Sequence, residues 1–271
     1  MTPANSMAAV ETVSVEIGGT AISLRTPDAS FRQLLAYRYA GFVGNAYRPQ
    51  FEFDIDLCAP SESASEDEVQ VRIEGGDWLL QRGDFHARWR PAAGRGQIRQ
   101  AHSPYAIDSV LRIVHTLILA RQGGFLLHAA SAIRDGRAFL FAGVSGAGKT
   151  TISRLAPSDT VLLSDEISYV KRHDQGFWAY GTPFAGELAR AGENRSAPIE
   201  ALFFLEKGPA NRIEPLDATE AVRRLLRNIL FFANDAKLVE LIFQSACEFV
   251  SVVPVQRLIF VPDPRAWEII R

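Results

Sequence analysis

The run Gly143-Val144-Ser145-Gly146-Ala147-Gly148-Lys149-Thr150 satisfies the pattern G-x-x-x-x-G-K-[ST]. At average residue usage, a chain of this length would carry it by chance about once in a hundred. Its flanks fit the pattern's structural requirement. Arg137-Ala138-Phe139-Leu140-Phe141-Ala142 is short and apolar and reads as a buried strand. Thr151-Ile152-Ser153-Arg154-Leu155-Ala156 reads as the first turns of a helix, stopped by Pro157. Glycines let backbone N–H groups turn inward around an anion, and a helix start adds its positive dipole end. Lys149 supplies a mobile cation for the outer phosphates of a nucleotide, and the Thr150 hydroxyl stands where it can ligate Mg²⁺. Gly143 to Thr151 is therefore the candidate phosphate site.

The chain has 271 residues, enough for one large domain or two smaller ones. Its formal net charge of -2 gives no electrostatic case for nucleic acid as a partner. Cys58 and Cys247 lie far apart, in no metal or redox spacing, which favours a reducing compartment. No apolar run reaches the length of a membrane span, and no basic-then-apolar leader opens the chain. The expectation is a cytoplasmic protein without a membrane partner.

Residues 1 to 9 read as a loose tail, and Val13, Val15 and Ile17 then alternate with polar residues as a strand. A turn at Gly18-Gly19, a second strand at 21–24 and a short helix from Phe31 to Tyr39 follow. Phe51 to Leu57 alternates again, with Asp54 and Asp56 on a solvated face. Ser61 to Glu68 reads as an exposed loop. The stretches 69–73, 78–80 and 85–89 form a meander of short antiparallel strands. Arg82, Arg88, Arg90, Arg95 and Arg99 make this region basic, but they are spread out, as on a solvated face.

After Pro104 the period changes to a helical one, over about 105 to 121. The change sets the expected division: a β-rich domain over 1–103, and a phosphate-loop domain over 104–271. His115 falls inside this helix and reads as a packing or surface residue.

Residues 124 to 134 read as a strand, joined by the hairpin turn Asp135-Gly136 to the strand that feeds the phosphate loop. The pairing is then antiparallel, unlike the common parallel arrangement, and brings His128 towards the open end of the loop strand. Thr160 to Ser164 is an apolar strand ending in Asp165-Glu166. Carboxylates at such a strand end can hold Mg²⁺ or take a proton from an attacking hydroxyl. Further on, 167–170 and 176–180 form a second hairpin and Gly181 to Glu187 a long turn. Leu188 to Pro198 is irregular, with Arg190 and Arg195 as solvated loop charges. Ile199 to Leu205 reads as a buried strand, 218–232 and 237–250 as helices, 258–261 as a strand and 264–270 as a closing helix.

With Leu127-His128-Ala129, the hairpin, Gly143 to Thr151 and Leu162 to Glu166 in this order, the stretch 124–262 resembles the HPr kinase/phosphorylase superfamily. It is similar in particular to the HPr-kinase-like proteins often associated with modified-peptide gene clusters, through Gly181-Thr182-Pro183-Phe184 and Ala201 to Leu205. The resemblance implies an α/β fold: a phosphate-loop kinase domain with a mixed sheet, like that of phosphoenolpyruvate carboxykinase, after a small β-rich domain. It implies that Asp165 is the catalytic base, that Glu166 helps hold the metal, that His128 lies near the transferring phosphate, and that Lys149 and Thr150 contact phosphate and Mg²⁺. The implied activity is an ATP- and Mg²⁺-dependent kinase, with GTP left open, acting on a serine hydroxyl of a peptide or protein. A small-molecule acceptor such as serine or a sugar, and a nucleotide-binding regulatory module, stand as alternatives, and a homo-oligomer is left open. The chain lacks the Glu-Ile-Arg-Gly-Leu-Gly signature of the HPr kinases, which leaves Arg190 or Arg195 to supply the cation it would carry.

Overall fold

The computed structural model describes residues 11–44, 48–59 and 68–271. The tail at 1–9 and all of the expected loop at 61–68 but Glu68 lie outside the described residues. The chain divides into two units, the first ending at Leu111 and the second running over Arg112–Arg271.

The first unit is a mixed sheet with one helix on β1 and β2. Its elements are β1 (Glu11–Ile17), β2 (Thr20–Thr26), α1 (Ala29–Arg38), a 3₁₀ turn at Ala40–Phe42, β3 (Phe51–Leu57), β4 (Gln70–Glu74), β5 (Asp77–Arg82), β6 (Phe85–Arg90) and β7 (Arg95–Gln100). The strand order is β1-β2-β3-β7-β6-β5-β4. The meander over β4 to β7 is antiparallel, whereas β3 lies parallel to both β2 and β7. Val13, Val15, Ile17, Phe53, Ile55, Phe85 and Trp89 face inward, as the period of two requires. Four of the five arginines of the basic region find carboxylates nearby: Arg82 pairs with Asp84, Arg88 and Arg90 share Asp77, and Arg95 pairs with Glu52.

Helix α2 (Pro104–Arg121) follows, and the division between units falls inside it rather than before it. Asp108 lies on its second turn. Its buried carboxylate accepts from the Arg38 guanidinium of α1 and, at 2.6 Å, from the Tyr39 hydroxyl, which ties the first turns of α2 to the first unit.

The second unit holds β8 (Phe125–Arg134), β9 (Arg137–Ala142), α3 (Lys149–Arg154), β10 (Val161–Ser164), β11 (Ile167–His173), β12 (Gly176–Tyr180), β13 (Ser196–Lys207), β14 (Arg212–Pro215), α4 (Ala218–Asn228), β15 (Ile229–Leu230), α5 (Ala236–Val252) and β16 (Val255–Phe260), closed by a 3₁₀ turn at Pro264–Glu268. The hairpin β8–β9 is antiparallel, with Asp135 and Gly136 both at positive φ as a two-residue turn demands. β9 then runs parallel to β13, and β13 parallel to β16, so the sheet is mixed. The fold is thus a mixed α/β architecture preceded by a β-rich unit. Phe139, Phe141, Phe203, Phe260 and Trp267 fill the core beneath the 143–150 loop. Trp267 meets Phe141 edge-on at 5.3 Å and donates its indole N–H to the Ile152 carbonyl at 2.9 Å, which pins α3 from below. Several elements differ from the sequence expectation: β13 begins at Ser196, inside the stretch read as irregular, β16 begins at Val255, and β7 and β14 stand where no strand is expected. The helix expected to reach 232 stops at Asn228, because Ile229 and Leu230 join β8. The closing helix is a single 3₁₀ turn.

Candidate active site

Strand β8 is buried along both faces, and His128 is its one exposed position. Register places it. Ala129 pairs with Ala142, the last residue of β9, so His128 stands level with the start of the glycine loop. On the other side His128 pairs with Ile167, immediately after Asp165-Glu166. The antiparallel hairpin therefore puts the imidazole between the loop and the carboxylates. Partial desolvation, then the charges of Lys149 and Arg112, hold its pKa below the usual histidine value.

The loop turns on Gly148, which has φ of +115° and serves as N-cap of α3. No L side chain adopts that conformation readily, and a Cβ there would sit 2.6 Å from the Phe260 ring. Lys149 Nζ donates to the Gly143 carbonyl at 2.8 Å and, more loosely, to that of Val144 at 3.4 Å. Burial lowers the lysine pKa, against the opposing pull of Glu166 and Glu187. The Thr150 hydroxyl donates to Glu187 Oε2 at 2.8 Å.

At the end of β10 the Ser164 hydroxyl accepts from the N–H groups of Glu166 and Ile167, which fixes the turn that presents the two acids. Asp165 is buried, and its carboxylate accepts from Gly186 N–H at 2.9 Å and Leu188 N–H at 2.8 Å. It thereby anchors the 186–188 loop and keeps two of its acceptor positions. Glu166 lies 3.6 Å from the Arg112 guanidinium, which stacks over Phe184 at 5.0 Å. Desolvation raises the pKa of Glu166, and Arg112 partly offsets it.

His128, Ser145, Gly146, Gly148, Lys149, Thr150, Thr151, Asp165 and Glu166 all line one cavity of about 280 Å³, joined by Glu187 and Lys207. Gly143 and Val144 line the neighbouring cavity instead, and Ala147 is buried beneath the loop. Arg190 and Arg195 are exposed and line neither cavity. Besides Lys149, the cation lining the phosphate cavity is Lys207; Arg112 stands outside the lining, against Glu166, and sequence reasoning passed over both. It also passed over Glu187, hidden in a stretch read only as a turn. Among the described residues no group of three or more His, Cys, Asp and Glu forms a ready metal cage. The Thr150 hydroxyl and the nearby carboxylates, with the Lys149 ammonium left for phosphate oxygens, instead suit a Mg²⁺ ion shared with a phosphate chain, since that ion keeps much of its shell from water and phosphate oxygens.

No helix among the described residues is long and apolar enough to cross a membrane. No curated protein matches the chain. Among solved structures, the chain is similar to the HPr(Ser) kinase/phosphatase from Coxiella burnetii, at 11% identity over 50% of this chain and 84% of that one, with a TM-score of 0.29. At that score the likeness decides nothing about this chain's activity. The family whose model matches is described as SynChlorMet cassette protein ScmC, and the match covers residues 100–271. That span holds the whole loop-and-carboxylate site and well over half of the sequence, and the chain belongs to the ScmC family.

Proposed function

We propose that the protein is an HPr-kinase-like, Mg²⁺-dependent kinase that uses ATP to phosphorylate a hydroxyl, a serine of a peptide or protein. One observation carries the reading: the β8 register that sets His128 between the glycine loop and Asp165-Glu166. A nucleotide switch needs a phosphate loop, but it has no use for an acceptor base on the adjoining strand end. The cassette designation of the family agrees with a gene-cluster association, and a peptide acceptor fits such a setting.

When bound, ATP with Mg²⁺ supplies the phosphoryl group and the charge that balances it. The chain's own residues do the rest. The loop N–H groups and Lys149, released from the Gly143 carbonyl, hold the phosphates. Thr150 and Glu166 hold the metal, and Glu187, already bonded to Thr150, stands beside them. Asp165 orients the acceptor hydroxyl and takes its proton through the acceptor positions its backbone bonds leave free. His128, its pKa held below the usual histidine value, lines the path of transfer.

The test incubates the protein with γ-labelled ATP, Mg²⁺ and a lysate of its source cells, with Lys149→Ala as the control. Label in an acceptor that vanishes with the variant supports the kinase. Asp165→Asn is expected to keep nucleotide binding and lose transfer. Transfer at the wild-type rate by that variant would remove Asp165 as the base. Absence of label alongside measured ATP binding would favour a regulatory module.

A further inference from the structure

Beside the phosphate cavity lies a second one of about 580 Å³, and the two share His128 and Ser145 as lining. Gly143 and Val144 form one wall, and Val144 is 79% exposed at the loop tip. The other wall is α4, with Glu220, Arg223, Arg224, Arg227 and Asn228, and Glu206 of β13 beside it, so three arginines line the cavity against two glutamates. Register again explains the meeting: Ile229 of β15 pairs with Leu127, which sets the end of α4 level with His128.

The charge on this wall is not balanced. Seven side chains alternate along one chain of contacts: Arg223, Glu220, Arg224, Glu206, Arg257, Glu214 and Arg212. Both ends are arginine, so the chain carries one surplus positive charge, and its Arg223 end faces the cavity. Arg227 is exposed and makes no ion pair among the described residues. Arg223 and Arg227 stand one helical turn apart, about 6 Å along the axis. Alternate side chains of an extended peptide lie about 6.5–7 Å apart on one face.

We propose that this cavity is the acceptor subsite, and that it selects an extended peptide whose serine is followed or preceded by two carboxylates placed two residues apart. The idea rests on the kinase reading above. Arg223 and Arg227 take the carboxylates, Val144 packs on the stem between them, and the serine reaches past His128 to Asp165. A volume of this order holds a few residues and not a folded surface, so recognition is of a linear segment.

The probes are three fluorescent peptides of one length, each with a central serine. One carries Asp at alternate positions beside it, one carries Asn there, and one carries Lys. Anisotropy gives affinity, and γ-labelled ATP with Mg²⁺ reports transfer to the same peptides. The Asp peptide should bind about tenfold tighter than the Asn peptide, with the gap closing as salt is raised. Arg227→Glu, a surface change that should leave the melting temperature unmoved, is expected to erase the preference and favour the Lys peptide. Arg223→Gln should halve the gap on a logarithmic scale. Equal binding of Asp and Asn peptides, or binding of none, overturns the subsite. Tight, Arg227-dependent binding of the Asp peptide without label keeps the subsite and removes the kinase. Label entering the Asn peptide as readily as the Asp peptide keeps the kinase and removes the subsite.

Discussion

His115 is 1% exposed, edge-on to Tyr169 at 5.5 Å, and its Nδ1 has no hydrogen-bond partner among the described residues. Burial, with a smaller push from the Lys171 charge, holds its pKa down to about 3. Once the chain unfolds, the ring returns to the ordinary value of about 6.5 and binds protons more readily than the folded state does. The folded pKa is the depressed one, so its contribution to stability is full above about 6.5 and is lost as pH falls towards about 3. From about pH 7.5 to about pH 5 this group alone should remove roughly 2 kcal/mol. Urea unfolding of the wild type against His115→Leu checks it: the variant's acid decline should be shallower by that amount, and parallel curves would show that the imidazole does not stay neutral in the fold. Sequence could place His115 in the helix but could not choose between packing and surface, since one residue carries no record of what covers it. The same limit hid Glu187 and Arg112. Lys149, Thr150, Asp165 and Glu166 announce themselves through neighbours in sequence, whereas Glu187 meets Thr150 only after the 181–188 loop folds back onto Asp165.

At the scale of elements, the glycine loop depends on two different kinds of glycine. Gly148 has positive φ and a Phe260 ring where a Cβ would go, while Gly146 has φ of +74° and open space. Gly146→Ala should therefore cost only the left-handed backbone penalty, about 1–2 kcal/mol. Gly148→Ala adds displacement of a packed ring, for about 2–5 kcal/mol in all. Denaturation midpoints of the two variants measure the difference, and equal losses would mean that Phe260 yields freely. The hairpin β8–β9 was legible because Asp-Gly is a turn signal with a mechanism. Strand β7 was not, since only Ile98 among its residues has a large apolar side chain facing in, and the rest reads as scattered charge. The parallel pairings of β3 with β2 and β7 were also out of reach, because they join segments that no local turn connects.

For the molecule as a whole, the side chains of the phosphate cavity all come from the second unit, Arg112–Arg271. On the proposed reading, nucleotide binding is a stabilisation confined to that unit. A ligand held at a hundred times its dissociation constant adds about 2.7 kcal/mol to the state that binds it. For a unit of this size each kcal/mol moves the melting temperature by about 2–4 °C, so ATP with Mg²⁺ should raise it by about 5–10 °C. Calorimetry of the full chain with and without the nucleotide reads this shift, and Lys149→Ala should abolish it while melting normally on its own. Hydrogen exchange locates it: slowing should concentrate at 143–151 and in β8, β9 and β10, and leave β1 to β7 unchanged. A rise spread evenly over both units would contradict a site built from the second unit alone. No rise at saturating ATP would remove the phosphate-binding reading, and with it the roles given to Lys149 and Thr150.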